Sequence, residues 1–574
     1  MKFFHVYNEQ YFDGLVKNGL LNKDTGFKIQ HAFSMDESIK FNRIAQKDGK
    51  LHALLKENRY PFYADRLAGG ITYHEYRFDP HLIDTYREML GEWFLGFQLH
   101  ESASNRRQDW KEIIRAMDGD KGPYDPDLLR ERMKSAYARM PDGTLLLSLS
   151  QGRAEEYAAR RYAEQPHEVD AEIEEMFRLR MQETQGNILP CDSFFLYTNL
   201  QDKLGMKSFM PEVGAQIPLM RIEVALARGI AKQSGKLWGV YYETWIGNLE
   251  EGYSMPCYNN EPGNEWYLTQ ETHHDDFTTK GANGGSSRLL QRRIYYYALM
   301  SGADYFSEEW GLNCSYSDMK IFSLSPYGEA KKEFIDSTQL LPKMKAYTPF
   351  ALVLPKDYQA IELPDIYDPW TIGNHRDTYL HCALNAEQQA YYGHIEDVLK
   401  LIWTRNGKIY GNESHVLTNS RFGDLFDIIY EDASEETLEK YEYLIDASPN
   451  GSFAQKKGKE FRVLSSADLG SLEHKLHEVE RELLPCTVDS LHWMISCDNC
   501  GGRYLSIFNN EGNERSVRCG DAIDHEADAA VTVRFKENAI PEIIKATDGV
   551  RICANSDREY RVDVLATGFV ILKF

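Results

Sequence analysis

The chain has 574 residues, more than the roughly 250–300 at which one hydrophobic core stops growing, so two or three domains are expected. Its 88 acidic and 65 basic residues give a formal net charge of −23, which repels nucleic acid phosphates and anionic membrane surfaces. Nine scattered cysteines, an odd number, argue against a disulfide framework. We therefore expect a cytoplasmic protein that binds neither nucleic acid nor membranes, and the polar first residues predict no signal peptide.

Between about residues 24 and 345, short apolar runs alternate with longer helical stretches. This rhythm is typical of repeated βα units around a parallel sheet. We predict a (β/α)8 TIM barrel over residues 1–345, with strands at 26–33, 60–64, 94–99, 193–198, 237–242 and 303–307.

A charged, helix-forming insertion is predicted at about residues 105–190. Acids and bases four residues apart in it suit a solvated helix face. The insertion obscures the fourth strand, for which the run TLLLSLS at 144–150 is the candidate. The numbering of the later strands depends on that assignment.

Two further regions follow the barrel. The apolar strand TPFALVLP at 348–355 begins beyond the point where a barrel closes, and later βαβ alternation predicts a small open α/β domain over residues 346–485. From residue 486, short alternating runs separated by Gly, Asn and Asp predict an antiparallel β-sandwich over residues 486–574.

Carboxyl groups at strand ends are the candidate chemistry of the barrel, because the loops after parallel strands gather at one face. Two carboxyl groups hydrolyse a glycosidic bond when one protonates the leaving oxygen and the other attacks the anomeric carbon or activates water. Aromatic residues make up 12% of the chain, with 35 Tyr and 9 Trp. Sugar sites favour such residues, but so do cores.

The first acidic strand end is at Glu101, which follows the strand at 94–99. Its neighbour His100 would tune or share protons, and the loop continues to Asn105. The alternative is that Glu101 only caps the next helix, because an acid near a helix N-terminus is favoured by the helix dipole.

The second acidic strand end carries Glu308 and Glu309, followed by Trp310. Adjacent side chains alternate across a strand, so one carboxylate is expected to face the pocket and the other to be ion-paired behind it. A purely structural role for both is less favoured, because buried acids are costly without a purpose.

The third acidic strand end is at Glu243, with Tyr241, Tyr242 and Trp245 around it. Aromatic rings beside an acid are typical of a sugar subsite. The alternative is that the rings pack the barrel wall and that Glu243 hydrogen-bonds a loop.

We predict no metal and no organic cofactor. The adjacent ligands in THHDDF at 272–277 rarely converge on one ion, and the CDNC pair at 497–500 lacks a well-spaced second pair. The Gly-rich GANGGSSR at 281–288 lacks the lysine of a phosphate-binding loop, and we interpret it as a flexible loop on the barrel rim.

Several segments resemble a known family. RIEVALARGIAKQSGKLWGVYYETW at 221–245, followed by RRIYYYALMSGADYFSEEWG at 292–311, resembles the late barrel of clan A retaining glycoside hydrolases. LSPYGEAKKEF, TPFALVLP and FGDLFDIIYED resemble the barrel exit and second domain of the family 42 β-galactosidases, and GRYLSIFNNEGNERS resembles a strand pair of their final sandwich. The resemblance implies a barrel, an amidotransferase-like domain that mediates oligomerisation, and a β-sandwich.

The resemblance also implies roles for the acids. The family's nucleophile follows the penultimate barrel strand, which implies Glu308 or Glu309. Its acid/base belongs to an Asn-Glu pair at the end of the fourth strand, whereas Glu101 follows a histidine and ends the third strand in the predicted order. Glu101 is the first choice for the acid, with Glu212 or Glu243 as alternatives.

We therefore predict a glycosidase that hydrolyses O-glycosyl bonds, retaining and exo-acting on a β-linked carbohydrate in the manner of a β-galactosidase. The alternatives are an inverting hydrolase or a lyase on the same barrel, or an inactive carbohydrate-binding protein. The predicted sugar contacts are Asp65, His100, Asn105, Asn199, Tyr241, Tyr242, Trp245 and Trp310.

Overall fold

The computed structural model describes residues 1–7, 9–29, 53, 56–68, 84, 88, 91–100, 166–192, 195–215, 220–248, 252–256, 283–309, 314–318, 320–359, 385–403, 412–515 and 521–574. Eight of its strands close into a barrel in which every neighbouring pair is parallel, so the predicted barrel is confirmed. They are β1 (Lys2–Val6), β2 (Thr25–Ile29), β3 (Phe62–Ala68), β4 (Phe94–His100), β5 (Ile188–Asp192), β6 (Ser208–Gly214), β7 (Leu237–Glu243) and, after the hairpin β8 (Ile246–Asn248) and β9 (Gly252–Ser254), β10 (Tyr305–Glu308).

The barrel strands are buried on both faces, which is why several read as continuous apolar or aromatic runs. Phe4, Tyr63, Tyr241 and Tyr305 belong to one cluster of buried side chains. Gly239 leaves space for one of these rings, because a Cβ there would lie 2.3 Å from Tyr305 Cδ2.

The helices alternate with the strands along the chain. They form the outer layer of the barrel and of the second region. The bounds are α1 (Glu9–Lys17), α2 (Pro166–Glu183), α3 (Thr198–Lys203), α4 (Met220–Ser234), α5 (Arg288–Ser301), α6 (Pro326–Thr338), α7 (Ala386–Trp403), α8 (Glu435–Leu438), α9 (Ser452–Lys457) and α10 (Leu469–Leu483). Among the helices described, none combines the length and apolarity needed to span a bilayer.

The strand order differs from the predicted one in ways that matter for the site. The strand predicted at 193–198 is wrong, because residues 195–203 are helical and the fifth strand is β5. The prediction also omits β1 and β6, and β6 is hard to see because Pro211 and Glu212 interrupt its apolar run. Consequently β4 is the fourth barrel strand rather than the third, and β10 is the last. The candidate at 144–150 lies outside the described residues.

Part of the predicted insertion is described, as helix α2. Ile173, Met176 and Phe177 are fully buried on one face of it. Glu174 and Arg178 form an exposed ion pair one turn apart on another face. Residues 105–165 of the insertion lie outside the described part of the chain.

A four-stranded, all-parallel sheet lies within the second predicted region. Its strand order is β15-β14-β16-β17. The bounds are β14 (Phe350–Leu354), β15 (Phe426–Tyr430), β16 (Tyr443–Asp446) and β17 (Val463–Ser465). The likeness of this region to an amidotransferase stays a prediction.

Two larger antiparallel sheets occupy the C-terminal region, in the orders β13-β19-β20-β27-β24 and β18-β23-β26-β25. The first recruits β13 from the barrel exit, before the predicted boundary at 346, to pair with β19. The predicted sandwich packing of these sheets stays a prediction. The bounds, with those of the short pairs β11-β12 and β21-β22, are β11 (Tyr316–Asp318), β12 (Ser323–Leu324), β13 (Met344–Ala346), β18 (Cys486–Val488), β19 (His492–Asp498), β20 (Arg503–Phe508), β21 (Asn513–Glu514), β22 (Ala522–Ile523), β23 (Ala529–Phe535), β24 (Glu542–Ala546), β25 (Arg551–Ala554), β26 (Glu559–Val564) and β27 (Phe569–Lys573).

Candidate active site

Three carboxyl groups meet at the C-terminal ends of β6, β7 and β10. They belong to Glu212, Glu243 and Glu309, which are 0%, 3% and 2% exposed. One oxygen of each carboxyl lies within 4.8 Å of the others. Because all barrel strands are parallel, these ends share one face, which is where TIM barrels carry their active sites. We call these three residues the carboxyl cluster.

His100, the last residue of β4, lies beside the cluster. Its Nε2 is 3.5 Å from Glu212 Oε1 and 3.7 Å from Glu309 Oε1. Its ring meets the Tyr241 ring edge-on, with centroids 5.2 Å apart. The imidazole therefore lies within ion-pair distance of two carboxyl groups.

Glu309 is oriented by contacts to its side chain and its backbone. Trp245 Nε1 donates a hydrogen bond to Glu309 Oε2 at 2.8 Å. The buried ammonium of Lys28 donates to the carbonyl oxygens of Glu308 and Glu309 at 2.8 and 3.0 Å, and to the Tyr241 hydroxyl at 2.9 Å. These contacts fix the chain where β10 ends.

Glu308 points away from the cluster, between β10 and the helices α5 and α6. Its Oε2 is 2.5 Å from Lys331 Nζ, and that lysine is 1% exposed. Its Oε1 accepts hydrogen bonds from Tyr295 and, at 3.0 Å, from Tyr327. Burial, reinforced by this carboxylate, holds the pKa of both tyrosines well above the usual range. Alternation along β10 thus separates the two acids, with Glu309 in the cluster and Glu308 ion-paired behind it.

Gly214, the last residue of β6, makes room for Glu243. The two residues are paired in register, and a Cβ at Gly214 would lie 2.5 Å from Glu243 Cβ and 3.0 Å from its Oε2. Any other residue here would displace the Glu243 side chain.

The observed strand order corrects the predicted roles. The penultimate barrel strand is β7, which ends at Glu243, so placing Glu308 and Glu309 after the penultimate strand is wrong. The reason is the omission of β1 and β6 from the predicted order. The same correction puts Glu101 directly after the fourth strand. Glu101 itself lies outside the described residues.

The surroundings of Tyr242 and Asn199 do not suit their predicted contacts with a sugar, which stay predictions. Tyr242 is fully buried, with its hydroxyl against Ser286 and its ring against Tyr295 and Phe306, so it offers no face to a sugar. Asn199 lies in helix α3 rather than at a strand end, and it is fully buried.

The other predicted contacts divide in two. Tyr241 and Trp245 touch the site through His100 and Glu309 respectively. Asp65 is a residue of β3 whose side chain is not described, and Asn105 and Trp310 lie outside the described residues.

Two groups of side chains in the described part of the chain bring three metal-ligating atoms within 4.8 Å of one another. One comprises His100, Cys191 and Glu212, and the other is the carboxyl cluster. Histidine, cysteine and carboxylate donors are the ligands that zinc uses. That the protein needs no metal stays a prediction.

Sequence reasoning missed several residues at this face. Lys28 and Cys191 lie inside strands, and neither is an acid at a strand end. The pattern that indicates Glu243 and Glu309 therefore does not indicate them. Glu223, in the first turn of α4, is 1% exposed, and burial together with Asp192 holds its pKa well above the usual range. A buried acid in an amphipathic helix gives no signal that separates it from a surface acid.

Comparison with known proteins leaves the family open. No family model matches the chain, and no curated protein matches it. Eight chains of solved structures match. One is the α-L-fucosidase isoenzyme 2 from Paenibacillus thiaminolyticus, at 10% identity and a TM-score of 0.38, covering 96% of this chain and 87% of that one. Another is GH5_18 from Streptomyces cattleya in complex with GlcNAc, at 10% identity and a TM-score of 0.33, covering 81% of this chain and 98% of that one. Similarities of this size carry no functional assignment.

Proposed function

We propose that the protein is a glycoside hydrolase that acts through carboxyl groups at the C-terminal face of its barrel. The observation that carries the proposal is the buried cluster of Glu212, Glu243 and Glu309. Glycosidic hydrolysis needs an acid and a base or nucleophile in one pocket. Crowded and buried carboxyl groups suit this need, because burial and repulsion by a neighbouring carboxylate both favour the protonated form of a carboxyl group.

For the pair Glu243 and Glu212, the acid that lies within the cluster, the spacing favours a retaining mechanism. One oxygen of each of these carboxyl groups lies within 4.8 Å of one oxygen of the other. Carboxyl separations of about 5–5.5 Å accompany retention, whereas about 6.5–9.5 Å leaves room for the water of an inverting enzyme. A covalent glycosyl-enzyme intermediate is therefore the proposed route.

We assign the nucleophile to Glu243, which ends the penultimate barrel strand as the resembled family requires. Its carboxylate attacks the anomeric carbon while an acid gives its proton to the leaving oxygen, and water then hydrolyses the glycosyl ester. Glu101 is the proposed acid, because it follows His100 at the end of the fourth strand, and Glu212 is the alternative. Glu309 and His100 would lie beside these acids and assist the transfer of protons.

The proposed substrate is a β-linked glycoside cleaved at a chain end, in the manner of a β-galactosidase. This part rests on the resemblance and on Trp245, an aromatic ring at the site with its polar edge on Glu309. A cytoplasmic location and oligomerisation through the second region complete the proposal.

The test is a screen of purified full-length protein against aryl glycosides, with E243A, E101Q, E212Q and E309Q assayed on any substrate that turns over. Azide should restore turnover to E243A and give a glycosyl azide of opposite anomeric configuration. The acid's variant should lose little activity on aryl glycosides with good leaving groups and much on those with poor ones. Absence of turnover with every glycoside, or an active E243A without azide, would overturn the proposal.

A further inference from the structure

The glycine- and serine-rich stretch before α5 is held tightly and lies against the end of β7. We call residues 283–287 the rim segment. The backbone N–H and the hydroxyl of Ser286 both donate to the carbonyl oxygen of Thr244 at 3.1 Å. Thr244 directly follows Glu243, so these hydrogen bonds act one residue from the proposed nucleophile.

Gly285 brings the rim segment into this contact. Its N–H donates to Ser254 Oγ at 3.0 Å. A Cβ at Gly285 would lie 2.4 Å from the Thr244 carbonyl oxygen and 2.5 Å from Pro256 Cδ, and its φ of +70° favours glycine. The earlier interpretation of this stretch as a flexible rim loop is therefore wrong for the described residues 283–287.

Side chains from the C-terminal part of the chain hold the other side of the rim segment. Arg515 Nε donates to the Gly285 carbonyl oxygen at 2.7 Å, and a second guanidinium nitrogen donates to the carbonyl oxygen of Asn283. Arg515 is itself oriented by Asp521, at 2.7 Å from its Nη1. One guanidinium thus binds two backbone carbonyls of the segment.

The end of the rim segment is also the start of α5, and it is held by an acid from the second region. Glu413 accepts hydrogen bonds from the backbone N–H and the hydroxyl of Ser287, the residue that caps α5. Asn513 donates to Glu413 Oε2 at 2.6 Å and to Ser287 Oγ at 3.0 Å. An acid at a helix N-terminus is favoured by the helix dipole.

The three residues that hold the rim segment are buried. Glu413 is 1% exposed, Asn513 is 2% exposed and Arg515 is 6% exposed. Burying charged groups costs free energy unless they are paired. Here Arg515 and Glu413 hydrogen-bond to the backbone of three of the five residues of the rim segment, namely Asn283, Gly285 and Ser287.

We propose that Arg515, Asn513 and Glu413 are positioning residues for Glu243. They hydrogen-bond to the rim segment, and the rim segment hydrogen-bonds to the Thr244 carbonyl oxygen. The position of Thr244 in turn fixes the backbone of Glu243 at the end of β7, and with it the direction of the Glu243 side chain. The carboxyl cluster of the barrel is then built correctly only when the C-terminal part of the chain is docked. The catalytic consequence rests on the proposed function, but the structural coupling does not.

The coupling is tested by hydrogen exchange of the full-length protein, read by mass spectrometry on peptides that cover residues 240–248 and 283–290. In R515A the backbone amides of both peptides should exchange about tenfold faster than in the wild type. Local opening costs less free energy in this variant, because there are no guanidinium contacts to break. R228A is the matched control, since Arg228 is also 6% exposed and pairs with Asp427 at 2.6 Å without touching the rim segment. The control should leave residues 240–248 unchanged.

If R515A fails to fold, R515K and N513A replace it, because each keeps part of the contact network. Unchanged exchange of residues 240–248 in the variants that fold would overturn the coupling. Equal acceleration in R228A would also overturn it, since the effect would then be general loosening.

The catalytic consequence is tested on a glycoside that the wild type hydrolyses. R515A should lower kcat about tenfold with KM little changed, because a misdirected nucleophile loses transition-state contacts more than binding. Methylguanidinium should restore part of the loss, and R228A should keep the wild-type kcat. A kcat unchanged in R515A would overturn this consequence. If no glycoside turns over, the proposed function fails while the exchange experiment still decides the coupling.

Discussion

The imidazole Nε2 of His100 lies 3.5 Å from Glu212 Oε1, although strand β5 separates the two strands that carry these residues. The contact spans the inside of the barrel mouth, where both side chains are almost completely buried. Since His100 is also 3.7 Å from Glu309, one ring stands between two of the three clustered carboxyl groups. Closure of the barrel thus brings one imidazole beside two of the clustered acids.

Removing the imidazole should impair catalysis more than folding. H100N should lower kcat/KM by about 100-fold, the lower end of the usual contribution of a group that takes part in proton transfer. A matched control is H525N, which alters a histidine that is 68% exposed. Wild-type kinetics in H100N would contradict the role given to this ring.

Adding one methyl group at Gly214 should displace Glu243. G214A places a Cβ 2.5 Å from Glu243 Cβ, so the side chain or β7 must shift. Small displacements at a reacting group cost about 100-fold in rate. The control is G393A, in helix α7, where an added Cβ meets nothing within 4 Å and should stabilise the helix by about 1 kcal/mol. Full activity in G214A would show that Glu243 does not depend on this gap.

The neighbours Glu308 and Glu309 should respond oppositely to the same substitution. E308Q leaves the buried Lys331 ammonium without its carboxylate, and breaking a buried pair in this way costs about 3–5 kcal/mol. E309Q removes one of three crowded carboxylates, so its Tm should stay the same or rise while activity falls. Thermal unfolding and kinetics of both variants check this contrast. A stable E308Q, or a fully active E309Q, would contradict it.

Acid should destabilise the protein through His5. Burial, with the nearby Lys331 ammonium acting in the same direction, lowers the pKa of His5 to about 3. His5 therefore binds a proton in the unfolded chain below about pH 6.5, whereas in the folded chain it stays neutral until about pH 3. The free energy of unfolding is therefore highest above pH 6.5 and falls as the pH drops toward 3. This loss amounts to about 2 kcal/mol at pH 5.

The measurement is denaturant unfolding of the wild type and H5Q between pH 7.5 and 5. H5Q loses the ring nitrogen that contacts the Leu20 carbonyl oxygen at 3.1 Å, so it should be less stable at pH 7.5. Its free energy of unfolding should nevertheless depend less on pH than that of the wild type. Parallel pH profiles for the two proteins would exclude His5 as the source of the acid sensitivity.

Periodicity in the sequence was sufficient to predict a barrel and several of its strand ends. Strands β4 and β7 are visible because buried parallel strands read as unbroken apolar runs. The acids that follow such runs, Glu243 and Glu309, stand out for the same reason. Strand β6 is hidden, because Pro211 and Glu212 lie within it, and this omission shifted the roles assigned to the acids.

Only the tertiary structure decided which side chains meet. Tyr241 and Tyr242 are neighbours of the same type, yet alternation along β7 sends one toward His100 and the other toward Ser286. The sequence by itself determined the elements and the acids near their ends, since both depend on local burial patterns. The distances among Glu212, Glu243 and Glu309 depend on how the eight strands close into a barrel. The hydrogen bond from Arg515 to Gly285 joins residues that are 230 positions apart. Contacts across such separations leave no periodic signal, because they are set by packing and not by neighbours along the chain.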